Sequence, residues 1–343
     1  MRIAQVAPLI ESVPPRAYGG TERVVSYLTE ELVCLGHDVT LFASSDSRTS
    51  ARLIPGCDGS LRLKDQGRGE LAHHLLLLEK VSKHRRDFDI VHFHVDYLHF
   101  PMTRLMGVPS LTTLHGRLDG PELAPIYREY LDMPLVSISD AQRAPLPFAN
   151  WEGTVYHGLP ERLLEPDGRV EDYLAFLGRI SPEKRVDRAI EIARRAGRKI
   201  KIAAKIDPAD RSYFEREIAG LMEHPHVEFL GEICEAEKAR FLGRAYALLF
   251  PIDWPEPFGL AVIEAMACGT PVIAFNRGSV PEIVENGVTG WVVENIDEAA
   301  AALGKLETFD RRRCRDHFER RFPARRMAED YLALYRRVLG SPQ

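Results

Sequence analysis

Short apolar runs bounded by turn-forming residues alternate with longer stretches whose apolar positions recur at helical spacing, along almost the whole chain. The runs at 3–7, 38–43, 89–93, 110–114 and 135–138 read as buried strands, because a parallel strand covered on both faces shows continuous rather than alternating hydrophobicity. Between the first two, Val24, Val25, Leu28, Leu32 and Leu35 fall on one face of a helix over 21–35, with Thr21 near its start as N-cap and Gly36 as its stop. A second series of strands, 173–177, 199–204, 227–230, 247–250 and 271–274, follows a connector at 161–171 that carries proline, glycine and charge. Strands alternating with helices predict an α/β chain with mostly parallel sheets, and two such series predict two doubly wound domains, 1–160 and 161–323. Residues 47–65 show no sustained period and read as loop. The last helix, over 324–339, sets Met327, Tyr331, Leu334, Tyr335 and Val338 on one face.

Composition narrows the classes. A chain of 343 residues with 45% hydrophobic and 28% charged content can fill two cores. A formal net charge of -5 gives no general attraction to nucleic acid, so none is expected as a partner. Cys34, Cys57, Cys234, Cys268 and Cys314 are scattered without a Cys-x-x-Cys pair, which favours a reducing compartment and a cytoplasmic location over a disulfide framework or a zinc site. Met1 to Pro8 reads as a first strand rather than a signal peptide, and no apolar run approaches the length of a membrane span. The arginine-rich stretch 311–326, interrupted by Phe318 and Phe322, reads as a solvated amphipathic face; weak peripheral attachment to anionic lipid is the sharper alternative.

The densest chemistry lies between Trp254 and Gly269. The run from Ala245 to Pro251 is a buried strand, Pro255 and Pro257 fix φ in the following loop, and 260–268 is rich in helix formers before Gly269, a good C′ residue. The loop therefore sits at the carboxyl end of a strand, where open α/β sheets bind ligands. The amides of Phe258, Gly259 and Leu260 open the helix at its positive pole and suit a phosphate or sugar oxygen. Glu256 and Glu264 flank that start. Carboxylates accept hydrogen bonds from hydroxyls, and a sugar and a ribose supply them. Either glutamate alone would read as solvated; the proline-bracketed loop and a second glutamate inside an apolar helix weigh against that.

Other groups add to this picture. In Gly178-Arg179-Ile180-Ser181-Pro182-Glu183-Lys184 an arginine and a lysine follow the first strand of the second series, where together they can stabilise the charge of a departing diphosphate. Gly19 and Gly20 open the first helix and let the backbone approach a ligand, while the missing Gly-x-Gly-x-x-Gly argues against a dinucleotide fingerprint. His115 follows the strand at 110–114 and reads equally well as a structural histidine or a site residue. His92 and His94 share a strand face, with His92 in the core, and the group that includes His99 lacks the ordered spacing of a metal site. Asp87-Phe88-Asp89 precedes a strand and reads as turn chemistry; no metal is expected. Asn276-Arg277-Gly278-Ser279-Val280-Pro281-Glu282 reads as a loop leading into a helix start at Glu282.

The Glu256-x7-Glu264 pattern, with Gly178-Arg179-x4-Lys184, resembles the signature of retaining glycosyltransferases of the GT-B fold, in particular family GT4 (glycosyl transferases group 1). The likeness is strongest to a compact bacterial branch that includes antibiotic-tailoring transferases such as the avilamycin one. It implies two Rossmann-like domains facing a central cleft, with the helix 324–343 packing back on the first domain. It also implies transfer of a hexose from a nucleoside-diphosphate sugar to a hydroxyl acceptor, with no cofactor beyond that co-substrate. A UDP-sugar is favoured and GDP-mannose is the second possibility. In that family the first carboxylate meets the donor sugar and the second the ribose. Carried over, the catalytic set is His115, Arg179, Lys184 and Glu256, and the donor-binding set is Gly19, Gly20, Arg179, Lys184, Glu256, Phe258, Gly259, Leu260 and Glu264. A GT-B phosphorylase, a nucleotide-sugar epimerase or a catalytically silent sugar-nucleotide binder are the rival readings.

Overall fold

The computed structural model describes residues 1–16, 19–62 and 69–340. Tyr18, beside the Gly19-Gly20 pair, and part of the 47–65 stretch lie outside them. The chain divides into two units, one made of Met1–Gly158 with the segment from Ala324 onward, the other of Leu159–Pro323.

In the first unit β1 (Arg2–Val6), β2 (Asp38–Ser44), β3 (Arg52–Cys57), β4 (Ile90–Phe93), β5 (Ser110–Thr113), β6 (Leu135–Ser137) and β7 (Trp151–Thr154) form one parallel sheet in the order β3-β2-β1-β4-β5-β6-β7. Ala4, Val6, Phe42, Val91 and Phe93 pack on one face against Leu77, Leu78 and Val81 of the helix Glu70–Lys83, while Leu41 and Ala43 join Val25 of the helix Gly20–Cys34 on the other. Each fully buried Val, Leu or Phe side chain among these contributes roughly 1.5–3 kcal/mol. The closing helix, Ala324–Val338, buries Met327, Tyr331, Leu334 and Tyr335 in this unit and packs on Gly20–Cys34. That first helix starts at Gly20, so Thr21 is its second residue rather than its cap.

The expectation of a loop over 47–65 is overturned by β3, which pairs with β2. Its burial runs from exposed to buried along the strand instead of being continuous, and Pro55 interrupts it. Proline has no N–H for a ladder and survives here because β3 is an edge strand. The edge strand β7, Trp151-Glu152-Gly153-Thr154, is half-buried throughout and has no continuous apolar run, so it escaped the pattern.

The second unit has six parallel strands in the order β10-β9-β8-β11-β12-β13. These are β8 (Tyr173–Arg179), β9 (Lys199–Lys205), β10 (Val227–Gly231), β11 (Ala247–Phe250), β12 (Val272–Phe275) and β13 (Gly290–Val293). Leu174, Phe176, Ile200, Ile202, Leu249, Ile273 and Val293 carry its core. The strand order reverses between β8 and β11, which are neighbours although 247 pairs with 174. A crevice opens at such a reversal, at the carboxyl ends of the strands.

Candidate functional site

The residues expected to hold a donor in the second unit lie on the elements around that reversal. Arg179 ends β8 and Lys184 follows in the turn before the helix Val186–Arg195, while Glu256 and Gly259 lie in the loop after β11 and Glu264 is in the next helix, Leu260–Ala267. Gly259 caps that helix with φ 88, in the left-handed region that favours glycine. A side chain there would meet the ring of Phe250 at 3.3 Å. Phe258 is buried with its ring edge-on to Phe322, so what it can offer a ligand is main chain.

Both glutamates are buried, Glu256 at 8% exposure and Glu264 at 2%, and each is paired with a lysine. Lys184 donates to Glu256 Oε2, which also accepts the indole N–H of Trp254 at 2.8 Å. The Lys184 ammonium sits 4.7 Å from the centre of the Trp254 ring. Lys238, from the helix Glu235–Gly243, donates to Glu264 Oε1 at 3.0 Å. Buried carboxylates tolerate desolvation when paired and hydrogen-bonded in this way. Arg179 bonds Glu183 and lies 3.6 Å from Asp207 and 3.5 Å from Asp210. Arg179 and Lys184 each hold a carboxylate, Arg179 that of Glu183 and Lys184 that of Glu256.

Three further residues were not singled out by their spacing. Asp253 accepts from Arg185 at 3.0 Å and Arg188 at 2.7 Å, and its amide donates to Glu183 O at 2.8 Å, which ties the Lys184 turn to the Glu256 loop. Arg185 has φ 52, a strained value for a non-glycine residue worth about 1–3 kcal/mol, and its bonds to Asp187 and Asp253 hold it there. Gly278 has φ 54, and a Cβ on it would lie 2.4 Å from Glu256 N and O; the next residue donates from Ser279 N to Glu256 O at 2.9 Å. The 276–279 loop therefore supports the Glu256 backbone, while Glu282 lies in the short helix Val280–Ile283. Lys238 was legible in principle: with Phe241 and Leu242 it falls on the buried stripe of its helix, where an unpaired lysine would not be tolerated.

In the first unit, Gly19 packs its backbone on Pro15, where a Cβ would lie 2.7 Å from the proline Cβ. His115 follows β5, and its Nε2 is 2.9 Å from His94 Nδ1. His94 Nε2 meets Gln5 Oε1 at 2.8 Å, Gln5 Nε2 donates to the Tyr335 hydroxyl at 3.0 Å, and Tyr335 meets His92 Nδ1 at 2.7 Å. His92 Nε2 reaches Thr113, and Thr113 reaches Tyr331 at 2.9 Å. His92 is therefore core and His94 belongs to a polar chain that runs from the closing helix to His115. Burial pushes the His115 imidazole down to about 3, and the His92 and His94 imidazoles well below the ordinary value. His115 Nδ1 has no hydrogen-bond partner. As Gln5 is oriented, His94 donates to its oxygen and accepts from His115, so a neutral His115 carries its proton on Nε2 and offers Nδ1 as an acceptor.

These imidazoles give the unit a defined acid sensitivity. His92, His94 and His99 are buried and neutral, His99 with its pKa pushed down to about 3, whereas the unfolded chain takes up their protons near 6.5. The stability they carry is complete above pH 6.5 and falls as pH drops toward 3, because the unfolded state then binds more protons. Acid titration followed by circular dichroism should show a steep loss of structure below about pH 6 with uptake of several protons. Stability unchanged between about pH 6.5 and about pH 4 would contradict this reading.

The arginines of 311–326 do structural work. Arg311 donates to Ala245 O and Gly243 O, Arg315 to Leu164 O and Ala267 O, Arg321 to Glu282 O, and Arg326 to Tyr156 O and His157 O. Asp87 accepts from or pairs with His84 at 2.9 Å and Asp89 accepts Arg2 N at 2.8 Å, as turn residues do. Among the described residues no helix is long and apolar enough to cross a membrane, and no three His, Cys, Asp or Glu residues are grouped to hold a metal ion.

Two doubly wound parallel units, with carboxylate–lysine pairs at the strand reversal of the second, define a GT-B protein. The family model Glycosyl transferases group 1 matches residues 167–319, and Glycosyltransferase Family 4 matches 18–149. The chain belongs to this family of GT-B glycosyltransferases. It is 27% identical over 377 aligned positions to the D-inositol 3-phosphate glycosyltransferase of Frankia alni, covering 89% of this chain and 88% of that one. Other curated relatives are matched over only about a third to a half of their own length. AviGT4, a glycosyltransferase involved in avilamycin A biosynthesis, superposes with TM-score 0.76 at 24% identity, covering 100% of this chain and 99% of that one. Alr3699/HepE of Anabaena, in complex with UDP and glucose, gives 0.76 at 17% identity over 97% and 98%. At these identities the structures establish the shared fold.

Proposed function

We propose that the protein is a retaining, metal-independent cytoplasmic hexosyltransferase that moves a sugar from a nucleoside diphosphate to an acceptor hydroxyl, with a UDP-sugar favoured and GDP-mannose as second choice. The observation that carries this is the placement of two buried carboxylates, each paired with a lysine, beside a glycine-capped helix start at the reversal of the second sheet. Two carboxylates and the amides of a helix start suit a ligand that is anionic in one part and hydroxylated in another. The UDP and glucose bound to the HepE structure are a ligand of that kind.

In this reading Glu264 accepts the ribose hydroxyls, and Glu256 with the main chain of Phe258 to Leu260 holds the sugar hydroxyls. Arg179 and Lys184 hold the diphosphate. Lys184 must exchange Glu256 for a phosphate oxygen when donor arrives, which frees a Glu256 oxygen for the sugar at the same moment. In the first unit Gly19 and Gly20 offer close backbone approach, and neutral His115 offers Nδ1 to a hydroxyl proton. The bond from the anomeric carbon to the phosphate oxygen breaks with its electron pair on phosphate, where the two cations stabilise it. The acceptor oxygen bonds to the same face of that carbon, and its proton passes to the departing phosphate. The acceptor class is a glycan, a lipid-linked sugar or a small molecule.

Incubation of UDP-sugars and GDP-mannose with a panel of hydroxyl acceptors, in the presence of EDTA, tests this. The expected product has the donor's anomeric configuration by proton NMR coupling, with turnover unaffected by the chelator. An inverted product, or turnover abolished by chelation, would contradict the reading.

A further inference from the structure

Lys238 is the fourth residue of its helix and only 6% exposed. Both facts count against a lysine: burial removes the hydration of its ammonium, and the start of a helix is the positive end of the macrodipole. What offsets them is Glu264 at 3.0 Å, with Glu235 more distant at 3.4 Å. The two neighbouring arginines use their donors elsewhere, Arg311 on Gly243 O, Ala245 O and Thr270, and Arg315 on Leu164 O, Ala267 O and Glu161 O. Packing alone does not account for the pair, since apolar residues of similar volume in place of a buried ion pair are commonly neutral or stabilising.

We infer that Lys238 is a positioning residue for the nucleotide: through its charge-assisted hydrogen bond it fixes the orientation of the buried Glu264 carboxylate toward the ribose hydroxyls. This rests on the assignment of Glu264 to the ribose. Without the ammonium, the carboxylate loses its charged donor and turns toward other donors, and then accepts ribose hydroxyls poorly. Lys238 then acts on one part of the ligand only, the 2′ and 3′ hydroxyls, and leaves recognition of base and diphosphate to other residues.

The test compares UDP, GDP and ADP with their 2′,3′-dideoxy forms, binding measured by calorimetry on the full chain. For the wild-type protein the ribose form of the diphosphate that binds should be preferred by about tenfold to a hundredfold, the worth of hydrogen bonds to a charged group. Lys238→Met should reduce that preference to about threefold or less by weakening only the ribose form, and Lys238→Arg should restore most of it. If Lys238→Met does not fold by circular dichroism, Lys238→Gln, which keeps a donor without the charge, should still lower the preference at least about threefold. Equal weakening of both forms, or a preference unchanged in Lys238→Met or Lys238→Gln, overturns the inference. A wild-type protein that binds both forms equally, or binds no diphosphate, overturns the ribose assignment itself.

Discussion

Glu256→Ala should lower glycosyl transfer on the order of a hundredfold while leaving the affinity for bare UDP unchanged or raising it. The split follows from the pairing with Lys184. In the free protein that ammonium is held by Glu256 and stacked near Trp254, so a diphosphate must compete for it. Alanine removes the competitor and leaves the cation for phosphate, and it also removes the acceptor for sugar hydroxyls. A bare nucleotide has no sugar to lose. Transfer kinetics and calorimetry with UDP measure the two halves, and a transfer rate equal to wild type would sink the assignment of Glu256.

Glu264→Ala should behave in the opposite way. It strips the charge from a site that is 2% exposed and leaves Lys238 buried without its close partner, which costs about 3–5 kcal/mol. Thermal unfolding should move down by roughly 10 °C, and UDP affinity should fall at least about tenfold. Glu264→Gln keeps the shape and should lose affinity with a smaller loss of stability. A melting temperature and UDP affinity both like wild type would mean that Glu264 is neither structurally paired in solution nor a ribose ligand.

The central strands were legible because continuous apolar runs such as Ala247–Phe250 have one good explanation, burial on both faces. Of the edge strands only β10 was legible, as the run 227–230; β3 carries Pro55, and β13 begins at Gly290, whose φ of 147 lets it lie against the Val272 carbonyl. Local spacing also marked Glu256, Glu264, Arg179 and Lys184 as candidates, because the loop after a strand and the start of a helix are short-range features. It could not expose who pairs with whom. Lys184 meets Glu256 because β8 and β11 are neighbours, and Lys238 meets Glu264 because the helix Glu235–Gly243 packs on the helix Leu260–Ala267. The same holds for His115, which gains its hydrogen-bond direction from Gln5 in β1 and Tyr335 near the end of the chain. Gly278 reads as an ordinary loop glycine in the sequence, because the Glu256 backbone that lies against it is distant along the chain.

The proposed donor site is tested most directly by calorimetric titration of UDP, GDP, ADP and dTDP into the full-length protein. One of the four should bind with an affinity that Lys184→Met and Glu264→Ala both reduce at least about tenfold. Binding of none of them, or binding indifferent to both substitutions, would contradict the assignment of this site to a nucleoside-diphosphate sugar.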